Sequence, residues 1–468
     1  MTFSIIKKSQ LEGALRLDAE YYQPEYLELD RKLNLFGNKL KTFGEILERE
    51  NSLTGGATPL GANYPELGIK FLRVQNIMPG YLDFSDTVFI DKKINDKQLK
   101  RSQLIDDDVL LTITGVSYGK SAVYKLSYGD ANINQHSVRM HFISKLIPEY
   151  ISTFLNSKFG RFQSDRKITG NTRPALAYEE IRSYKIPVID KKLQNEIKEF
   201  YDRYKKLDEE SKKNVRQAED ILFKKLGLDD FTAEKKLFFI VNFSDCKKFN
   251  RIDPDFFQPH YLAFEKIISK YKSKILGQLC SLISYGTVPT SPYTDKGVPY
   301  VKGMNLKNCL IDHTEIDCLE KDSTIKLPKK VYLKKDDVII SQMGTVGNAA
   351  VATKAEEGWL FASFTIRARL SEEAKKFLDP LFLTLLINKV SKPYYLMRYI
   401  AQSSVRQNTD LPTIKNLPVP ILPKVTQEKI ADLVRKSHAA RQKSKQFLTE
   451  AKRKVEEMIE KGGDKNVD

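Results

Sequence analysis

The stretch Arg16-Leu-Asp-Ala-Glu-Tyr-Tyr-Gln-Pro-Glu-Tyr-Leu27 returns 235 residues later as Arg251-Ile-Asp-Pro-Asp-Phe-Phe-Gln-Pro-His-Tyr-Leu262. A second pair follows at an offset of 229, Gly68-Ile-Lys-Phe-Leu-Arg-Val-Gln-Asn76 and Gly297-Val-Pro-Tyr-Val-Lys-Gly-Met-Asn305. Three further pairs keep this order at offsets of 229 to 233: Asp107–Gly115 with Asp336–Gly344, Pro148–Asn156 with Pro380–Asn388, and Ile186–Ile197 with Val419–Ile430. The chain is therefore predicted to be a duplicated unit of about 230 residues, with small loop insertions between the anchors.

The composition limits the class of protein. The chain has 468 residues, of which 41% are hydrophobic and 29% charged, so it is long enough for two to four domains with sizeable cores. No apolar run approaches the ~20 residues of a membrane span, and the N-terminus lacks signal-peptide features, so we expect a cytoplasmic protein with no membrane partner. Four cysteines without a CxxC pair and five scattered histidines argue against a disulfide scaffold or a metal site.

The charge balance indicates a class of partner. Lys and Arg number 77 and Asp and Glu number 60, which gives a formal net charge of +17. Such a surplus favours polyanions, above all nucleic acid, because neutralised phosphates release counterions. Charge alone is equally compatible with a soluble basic protein, so more specific features have to decide.

Each unit is predicted to start with short strands and to end with a long helix. Asp108–Ile113 and Asp337–Ser341 have the apolar character of strands and are bounded by turn residues. In the two closing segments, selected positions step by three and four residues in register at an offset of 233: Phe200, Tyr204, Leu207, Ser211, Asn214, Ala218 and Ile221, then Leu433, Ser437, Ala440, Ser444, Phe447, Ala451 and Lys454. This spacing predicts a coiled-coil pair, antiparallel because globular stretch and helix alternate along the chain. The alternative is two surface helices, each packed on its own domain.

The most suggestive catalytic motif is Thr114-Gly-Val-Ser-Tyr-Gly-Lys-Ser121, which is similar to a phosphate-binding P-loop. A P-loop needs glycine at the first position and a helix afterwards, whereas the following residues have strand character. The counterpart, Met343-Gly-Thr-Val-Gly-Asn-Ala349, also lacks the lysine. We therefore interpret the two shared glycines as a tight turn that brings backbone close to a ligand phosphate.

Other catalytic motifs are not found in the sequence. There is no glycine-rich methyltransferase loop with an Asn/Asp-Pro-Pro-aromatic motif, no nuclease carboxylate–lysine constellation, and no Ser/His/Asp or Cys/His pairing that recurs in both halves. This predicts a binding protein and not an enzyme.

Polar residues that recur in both halves suit nucleic-acid binding. Arg166-Lys-Ile-Thr-Gly-Asn-Thr-Arg173 is matched with Gln402-Ser-Ser-Val-Arg-Gln-Asn-Thr409, which places Arg173 opposite Arg406. Such side chains bind phosphates or read base edges, although a solvated polar loop is the alternative. The predicted contacts are Arg73, Asn76, Lys120, Arg166, Lys167, Asn171, Thr172, Arg173, Lys302, Asn305, Thr345, Ser404, Arg406, Gln407 and Asn408.

Two of these features have a structural alternative. Asn76 is equally compatible with a turn-forming role. The aromatic boxes Tyr21-Tyr-Gln-Pro24 and Phe256-Phe-Gln-Pro259 are interpreted as packing near a domain start, with the proline ending a helix.

The duplication, the Gly…Asn segment, the Asp-Val…Gly turn and the Ile-Pro-Val…Gln…Ile entry into a long helix together resemble one family. It is the DNA-specificity subunit of type I restriction–modification systems. The resemblance covers about Arg16 to Gly462, and its specificity lies in the order and duplication of motifs that are individually weak. The second polar loop departs from the pattern, since it lacks the Gly and Pro of the first.

The resemblance implies an α+β fold in which two similar mixed α/β target-recognition domains are separated by two long antiparallel helices. It also implies that each domain reads half of a bipartite, asymmetric target, and that the helices set the spacing and dock methyltransferase subunits. The implied boundaries are 1–189 for the first recognition domain, 190–228 for the first spacer helix, 229–422 for the second domain, 423–462 for the second helix and 463–468 for a tail.

The implied partners are double-stranded DNA, two methyltransferase subunits and restriction subunits. No cofactor is expected on this chain, because S-adenosylmethionine and ATP would be bound by those partners. Two other classes stay open: a specificity subunit of another DNA-modification or phage-defence assembly, and an enzyme with an unrecognised site.

Overall fold

The duplicated sequence folds into two compact units. In the computed structural model, unit 1 contains residues 1–207 and 442–468, and unit 2 contains residues 208–441. The structure describes residues 4–8, 11, 17–59, 61, 64–169, 174–232, 234–313, 315–400 and 408–462. Both unit boundaries fall inside long helices, so each long helix is divided between the units. The boundaries implied by the resemblance, which treat the helices as separate segments, stay a prediction.

Unit 1 is built on an antiparallel sheet. Its strands are β1 (Leu40–Thr42), β2 (Leu53–Gly55), β3 (Ile69–Leu72), β4 (Ile77–Met78), β5 (Tyr81–Leu82), β6 (Val88–Ile90), β7 (Val109–Thr112), β8 (Ser121–Val123), β9 (Ala131–Ile133), β10 (Ser137–Met140) and β11 (Lys185–Pro187). The main sheet has the order β2-β10-β7-β8, and a mixed three-stranded sheet has the order β6-β3-β9. The pairs β4-β5 and β1-β11 complete the strand pairing.

Helices cover this sheet. They are α1 (Pro24–Asn34), α2 (Phe43–Ile46), α3 (Lys92–Lys97), α4 (Pro148–Asn156), α5 (Lys158–Lys167), α6 (Tyr178–Arg182) and the first half of α7 (Lys191–Leu226). Val109 and Leu111 of β7 pack in the main core with Tyr150 and Phe154 of α4, whereas Leu110 points into a second apolar cluster. Burial on both faces explains why this strand is an uninterrupted apolar run.

Unit 2 repeats the plan with larger sheets. Its strands are β12 (Ser273–Ile275), β13 (Cys280–Tyr285), β14 (Tyr293–Thr294), β15 (Val298–Val301), β16 (Leu306–Lys307), β17 (Cys309–Ile311), β18 (Asp317–Leu319), β19 (Val338–Ser341), β20 (Ala349–Val351), β21 (Leu360–Phe361), β22 (Thr365–Leu370) and β23 (Pro418–Pro420). The sheet orders are β13-β22-β19-β20-β17-β16, β14-β18-β15-β21 and β12-β23. β19 is the counterpart of β7 and is likewise fully buried.

The helices of unit 2 follow the same order along the chain. They are the second half of α7, then α8 (Phe243–Phe249), α9 (Pro259–Ile268), α10 (Leu276–Leu279), α11 (Lys321–Thr324), α12 (Glu372–Lys375), α13 (Pro380–Leu386), α14 (Met397–Tyr399), α15 (Leu411–Lys415) and the first half of α16 (Lys424–Gly462). A π-helical segment, Ile387–Leu396, joins α13 to α14.

The predicted pairing of the two long helices is confirmed, and in unit 1 it is antiparallel. In unit 1, Glu196 of α7 forms an ion pair with Lys454 of α16 (2.8 Å), and further along α7 the ring of Phe200 lies 6.3 Å from that of Phe447. The residue number on one helix rises while its partner's number falls. In unit 2, the hydroxyls of Ser211 and Ser437 are 2.9 Å apart and buried. Two small polar residues of the predicted seam, Ser211 and Ser437, therefore bond to each other.

One recurring glutamine attaches each long helix to its unit. Gln194 Oε1 accepts a hydrogen bond from the N–H of Ile147 (2.7 Å), and its Nε2 donates to the carbonyl of Ile189 (2.9 Å). Gln427 accepts from the N–H of Asp379 (3.0 Å) and donates to main-chain carbonyls of unit 2. The Ile-Pro-Val…Gln motif is therefore a buried junction between sheet and helix.

The aromatic boxes pack as interpreted, but the role of their prolines was wrong. Pro24 and Pro259 are the first residues of α1 and α9, and they do not end a helix. Proline suits the first helical position, because its fixed φ is helical and its missing N–H would have no partner there.

Candidate nucleic-acid interface

In unit 1, a threonine closes the turn between β7 and β8. Thr112 Oγ1 accepts a hydrogen bond from the N–H of Lys120 (2.9 Å), and the Thr112 carbonyl accepts from the N–H of Gly119 (2.8 Å). Gly115 and Gly119 have φ values of 71° and 76°, a region that favours glycine. The chain leaves the turn as a strand, so there is no helix N-terminus to bind phosphate as in a P-loop. Lys120, a predicted contact, is half-buried directly after the turn.

The equivalent turn of unit 2 is held by a serine. Ser341 Oγ accepts from the N–H of Asn348 (3.1 Å) and donates to the carbonyl of Thr345. Gly344 and Gly347 have φ values of 78° and 82°. The predicted contact Thr345 lies exposed at the tip of this turn.

The polar loops end beside these turns. In unit 1 the N–H of Gly115 donates to the carbonyl of Pro174 (3.1 Å), directly after the loop. In unit 2 a β-bridge joins Met343 to Asn408, the one predicted contact of that loop that the structure describes. The other loop candidates lie outside the described residues: Asn171, Thr172, Arg173, Ser404, Arg406 and Gln407. The two predicted elements, glycine turn and polar loop, are thus neighbours in both units.

A chain of polar side chains beside the turn of unit 1 was missed by sequence reasoning. The hydroxyl of Thr58 donates to Gln135 Oε1, Gln135 Nε2 lies 3.1 Å from His136 Nε2, and His136 Nδ1 lies 2.7 Å from Thr114 Oγ1. Thr58 and Gln135 are exposed. These groups offer hydrogen-bond donors and acceptors next to the polar loop.

Unit 2 has apolar residues at two of the equivalent positions. Gly56 and Gly286 each pack so closely against a main-chain carbonyl that a side chain would overlap it. We therefore treat these two glycines as equivalent positions when the sequences of the two units are aligned. In that alignment Val288 replaces Thr58 and Phe364 replaces His136. Val288 is 63% exposed and Phe364 58% exposed. The edge of unit 2 is therefore suited to apolar contact and that of unit 1 to hydrogen bonding.

Asn76 forms a turn inside unit 1. It is buried, its Oδ1 accepts from the N–H of Arg73 (2.9 Å), and its Nδ2 donates to the carbonyl of Asp83 (2.9 Å). Arg73 Nη2 donates to the carbonyl of Asp86 (2.9 Å). The geometry favours the turn-forming alternative for Asn76 over a base contact.

The equivalent pair of unit 2 has the same geometry. Asn305 is buried and accepts from the N–H of Lys302 (2.8 Å). The ammonium of Lys302 pairs with Asp317 and lies 4.8 Å from the ring centre of Tyr293. Lys302, like Arg73, is thus engaged within its own unit.

Arg166 and Lys167 lie in the last turn of α5 and not in the polar loop. Arg166 is buried, its Nε donates to the carbonyl of Tyr21 (2.8 Å), and its guanidinium lies 4.0 Å from the centre of that ring. Lys167 Nζ contacts Glu180 (3.1 Å) and Ser183 (2.7 Å). Both cations stabilise the packing of unit 1, because a buried charge needs such partners.

The predicted match of the loops at this end was also wrong. The counterpart of Arg166 is Arg398, whose Nε donates to the carbonyl of Phe256 (3.0 Å) and whose guanidinium lies 4.4 Å from the Phe256 ring centre. The sequence match had placed Gln402 opposite Arg166. Arg398 was not predicted as a structural residue. In the sequence it is visible only as an arginine that follows an aromatic run.

A buried carboxylate connects the strands of unit 1. Asp108 has no exposed side-chain surface and contacts Arg139 Nη1 (3.4 Å) and His141 Nδ1 (3.2 Å), while its Oδ2 accepts from the N–H of Ile105 (2.9 Å). Burial raises the pKa of Asp108 to about 6, and the longer contact with Arg139 offsets this only in part.

The equivalent carboxylate of unit 2 has two arginines. Arg369 binds Asp337 through both oxygens (2.6 and 2.7 Å), and Arg367 lies 3.7 Å away. Burial lowers the pKa of the Arg367 guanidinium, whereas the hydrogen bond to Asp337 raises that of Arg369. The hub is therefore the same in both units, except that His141 stands where Arg369 does.

Within the described ranges, no cluster of three or more His, Cys, Asp or Glu side chains is arranged to hold a metal ion. Among the helices formed by those residues, none combines the length and apolarity needed to cross a bilayer.

Comparison with known proteins gives one family and several structural neighbours. Residues 268–446 match the family described as "Type I restriction modification DNA specificity domain". No curated protein matches the chain.

Three solved structures are similar. The type I restriction–modification S subunit from M. genitalium has 14% identity, with 90% of this chain and 95% of that chain covered and a TM-score of 0.42. A structure described as "Structural basis underlying complex assembly and conformational transition of the type I R-M system" has 14% identity, coverage of 91% and 97%, and a TM-score of 0.29. The HsdS subunit from Thermoanaerobacter tengcongensis has 12% identity, coverage of 92% and 97%, and a TM-score of 0.28. Residues 268–446 of this chain are therefore similar to the DNA specificity domain of type I restriction–modification systems, and the resemblance predicted from the sequence is confirmed.

Proposed function

We propose that each unit reads one half of a bipartite, asymmetric DNA target. The observation that carries this proposal is that the two units have the same backbone arrangement but different side chains beside it. Both units have the glycine turn beside a polar loop, yet His136 and Thr58 in one are Phe364 and Val288 in the other. Hydrogen-bonding and apolar side chains select different base edges in the major groove.

We further propose that the chain has no catalysis and no cofactor of its own. S-adenosylmethionine and ATP would be bound by partner subunits, two methyltransferase subunits would dock on α7 and α16, and restriction subunits would join them. The similarity to a protein described in terms of complex assembly of the type I R-M system supports these partners.

The deciding experiment exchanges residues 235–420 for those of a relative, in cells that carry the partner subunits. Sequencing the methylated sites should show one new half-site, with the other half unchanged. A change in both halves would refute the assignment of one reader to each unit.

A more local test uses Arg173→Ala in the assembled complex. If Arg173 reads a base, cognate affinity should fall by about 1–3 kcal/mol; if it binds phosphate, binding should weaken equally on all sequences and the salt dependence should flatten. Unchanged affinity would place the loop away from DNA.

Other observations would identify each of the alternative functions. Neighbouring genes and co-purifying subunits would identify another modification or phage-defence assembly. Methyl transfer, nuclease or ATPase activity of the purified chain alone would indicate an enzyme.

A further inference from the structure

A groove of unit 1 is lined by an excess of cations. It has a volume of about 1040 Å³ and is lined by five basic residues, Arg49, Lys100, Arg101, Arg139 and Arg182, and by a single acid, Glu50. A wall dominated by one sign of charge attracts the opposite charge, here an anion.

Three of these cations have no ionic partner among the described residues. Arg139 contacts the buried Asp108, and Arg182 donates to the Glu50 carbonyl (2.6 Å) and lies 3.8 Å from Glu179. In contrast, Arg49, Lys100 and Arg101 are exposed, and none forms an ion pair within the part of the chain that is described. Their charge is available to a ligand.

The same basic positions recur in unit 2. The short 3-10 helix Lys100–Ser102 corresponds to Lys329–Val331, which has lysines at both equivalent positions. Lys415 corresponds to Arg182, because the carbonyl of each packs against the equivalent glycine, Gly277 or Gly44. A site for a small molecule is needed only once in the chain. A polymer such as DNA that contacts both units needs a binding surface on each of them.

The groove continues toward the candidate interface. One of its walls is β2, and the chain reaches Thr58 three residues after the strand ends at Gly55. Three residues span at most ~11 Å, at ~3.6 Å each, so the groove ends within that distance of Thr58, the first member of the polar chain that includes His136.

We propose that Lys100 and Arg101, with Lys329 and Lys330 in unit 2, bind the phosphates of double-stranded DNA beside the half-site that each unit reads. This proposal rests on the proposed function. The groove is open, and its free groups are charged side chains, as expected for a sugar–phosphate backbone that passes over the surface. Contacts of this kind hold the register of the duplex and carry no sequence information.

The test measures the binding of the full chain to a fluorescein-labelled duplex of ~30 mixed-sequence base pairs, because non-specific binding reports phosphate contacts alone. Anisotropy titrations at several salt concentrations between about 50 and 200 mM give the slope of log K against log salt. For the K100Q/R101Q variant we expect weaker binding and a slope smaller by about 1.8, since each phosphate contact contributes ~0.9. K329Q/K330Q should behave alike.

The matched control is K92Q/K93Q. It removes the same charge from exposed lysines at the start of α3, outside the groove. Equal slopes for K100Q/R101Q and the parent, or an equal loss in the control, would overturn the proposal. Displacement of the duplex by inorganic phosphate at constant ionic strength would instead assign the groove to a small anion. The half-site exchange described above reads which sequence is methylated and not how many phosphates are bound, so the proposed function would survive either result.

Discussion

His141→Arg should remove a pH-dependent weakness from unit 1. The native pKa of Asp108 is about 6 against an ordinary value of 3.8, because the carboxyl is buried. Below both values the acid is neutral in either state. As the pH rises from about 4 to 6, the native protein keeps a proton that the unfolded chain releases, so stability falls. Above about 6 both states are ionised, and the loss is complete.

The size of this loss follows from the shift. A difference of about 2 pKa units, at ~1.36 kcal/mol each, is roughly 3 kcal/mol. Unit 2 shows what an arginine does at the position of His141, since Arg369 binds Asp337 through both oxygens. A guanidinium stays charged throughout this range, and hydrogen bonds to charged groups contribute about 1.5–3 kcal/mol. His141→Arg should therefore lower the pKa of Asp108 and stabilise unit 1 by about that amount at pH 7.5.

Hydrogen exchange measured by mass spectrometry separates the two units in one molecule. Peptides covering β7 and β19 are compared at pH 5 and pH 7.5, after correction for intrinsic exchange rates. At pH 7.5, β7 should exchange more slowly in the variant than in the parent. At pH 5 this gain in protection should be much smaller, and β19 should be unaffected at both pH values. A gain of equal size at both pH values would show that Asp108 does not titrate in this window and would refute the reasoning.

Three further predictions concern packing, specificity and spacing. Arg398→Met should lower the free energy of unfolding of unit 2 by about 2–3 kcal/mol, because it leaves a buried carbonyl without its charged donor; a loss under about 0.5 kcal/mol in chemical denaturation would contradict this. Exchanging His136→Phe and Phe364→His should alter base preference next to each loop, seen in the methylated sites, while an unaltered target would exclude both residues from the interface. Inserting four residues both after Ser211 and before Ser437 adds about one helical turn, ~6 Å, to each helix and should lengthen the unspecified gap by one or two base pairs; an insertion in α7 alone should instead break the serine pairing. An active complex with an unchanged gap would show that the helices do not set the distance.

The helix pair and the duplication could be predicted because both are written as periodicities along the chain. The steps of three and four residues between Phe200 and Ile221 are local, and their register at an offset of 233 needs no knowledge of the fold. Even Gln194 and Gln427 were visible as recurring residues. Their role was not visible, because the main-chain groups that they bind are up to 50 residues away, such as the carbonyl of Phe377.

The candidate interface could be predicted only where its parts were contiguous. Thr58, Thr114 and His136 are single polar residues in three distant stretches, and β2, β7 and β10 bring them together. The assignment of Arg166 to a loop failed for a related reason. The end of α5 depends on its packing, and the loop match left the offset of 232 that relates Pro148–Asn156 to Pro380–Asn388, an offset that Arg166 and Arg398 keep.

Polar residues that recur in both units stabilise the fold, whereas they were interpreted from the sequence as nucleic-acid contacts. Recurring polar residues were selected as nucleic-acid contacts, yet the recurring residues Asn76, Asn305 and Arg166 are buried and bound within their own units. A buried polar group must keep its partner whatever DNA is read, so duplication preserves it. Exposed positions beside the glycine turn bear no such constraint and have diverged, as Thr58 and Val288 show. In a duplicated reader, the determinants of specificity should therefore be sought where the scaffold recurs and its exposed neighbours do not.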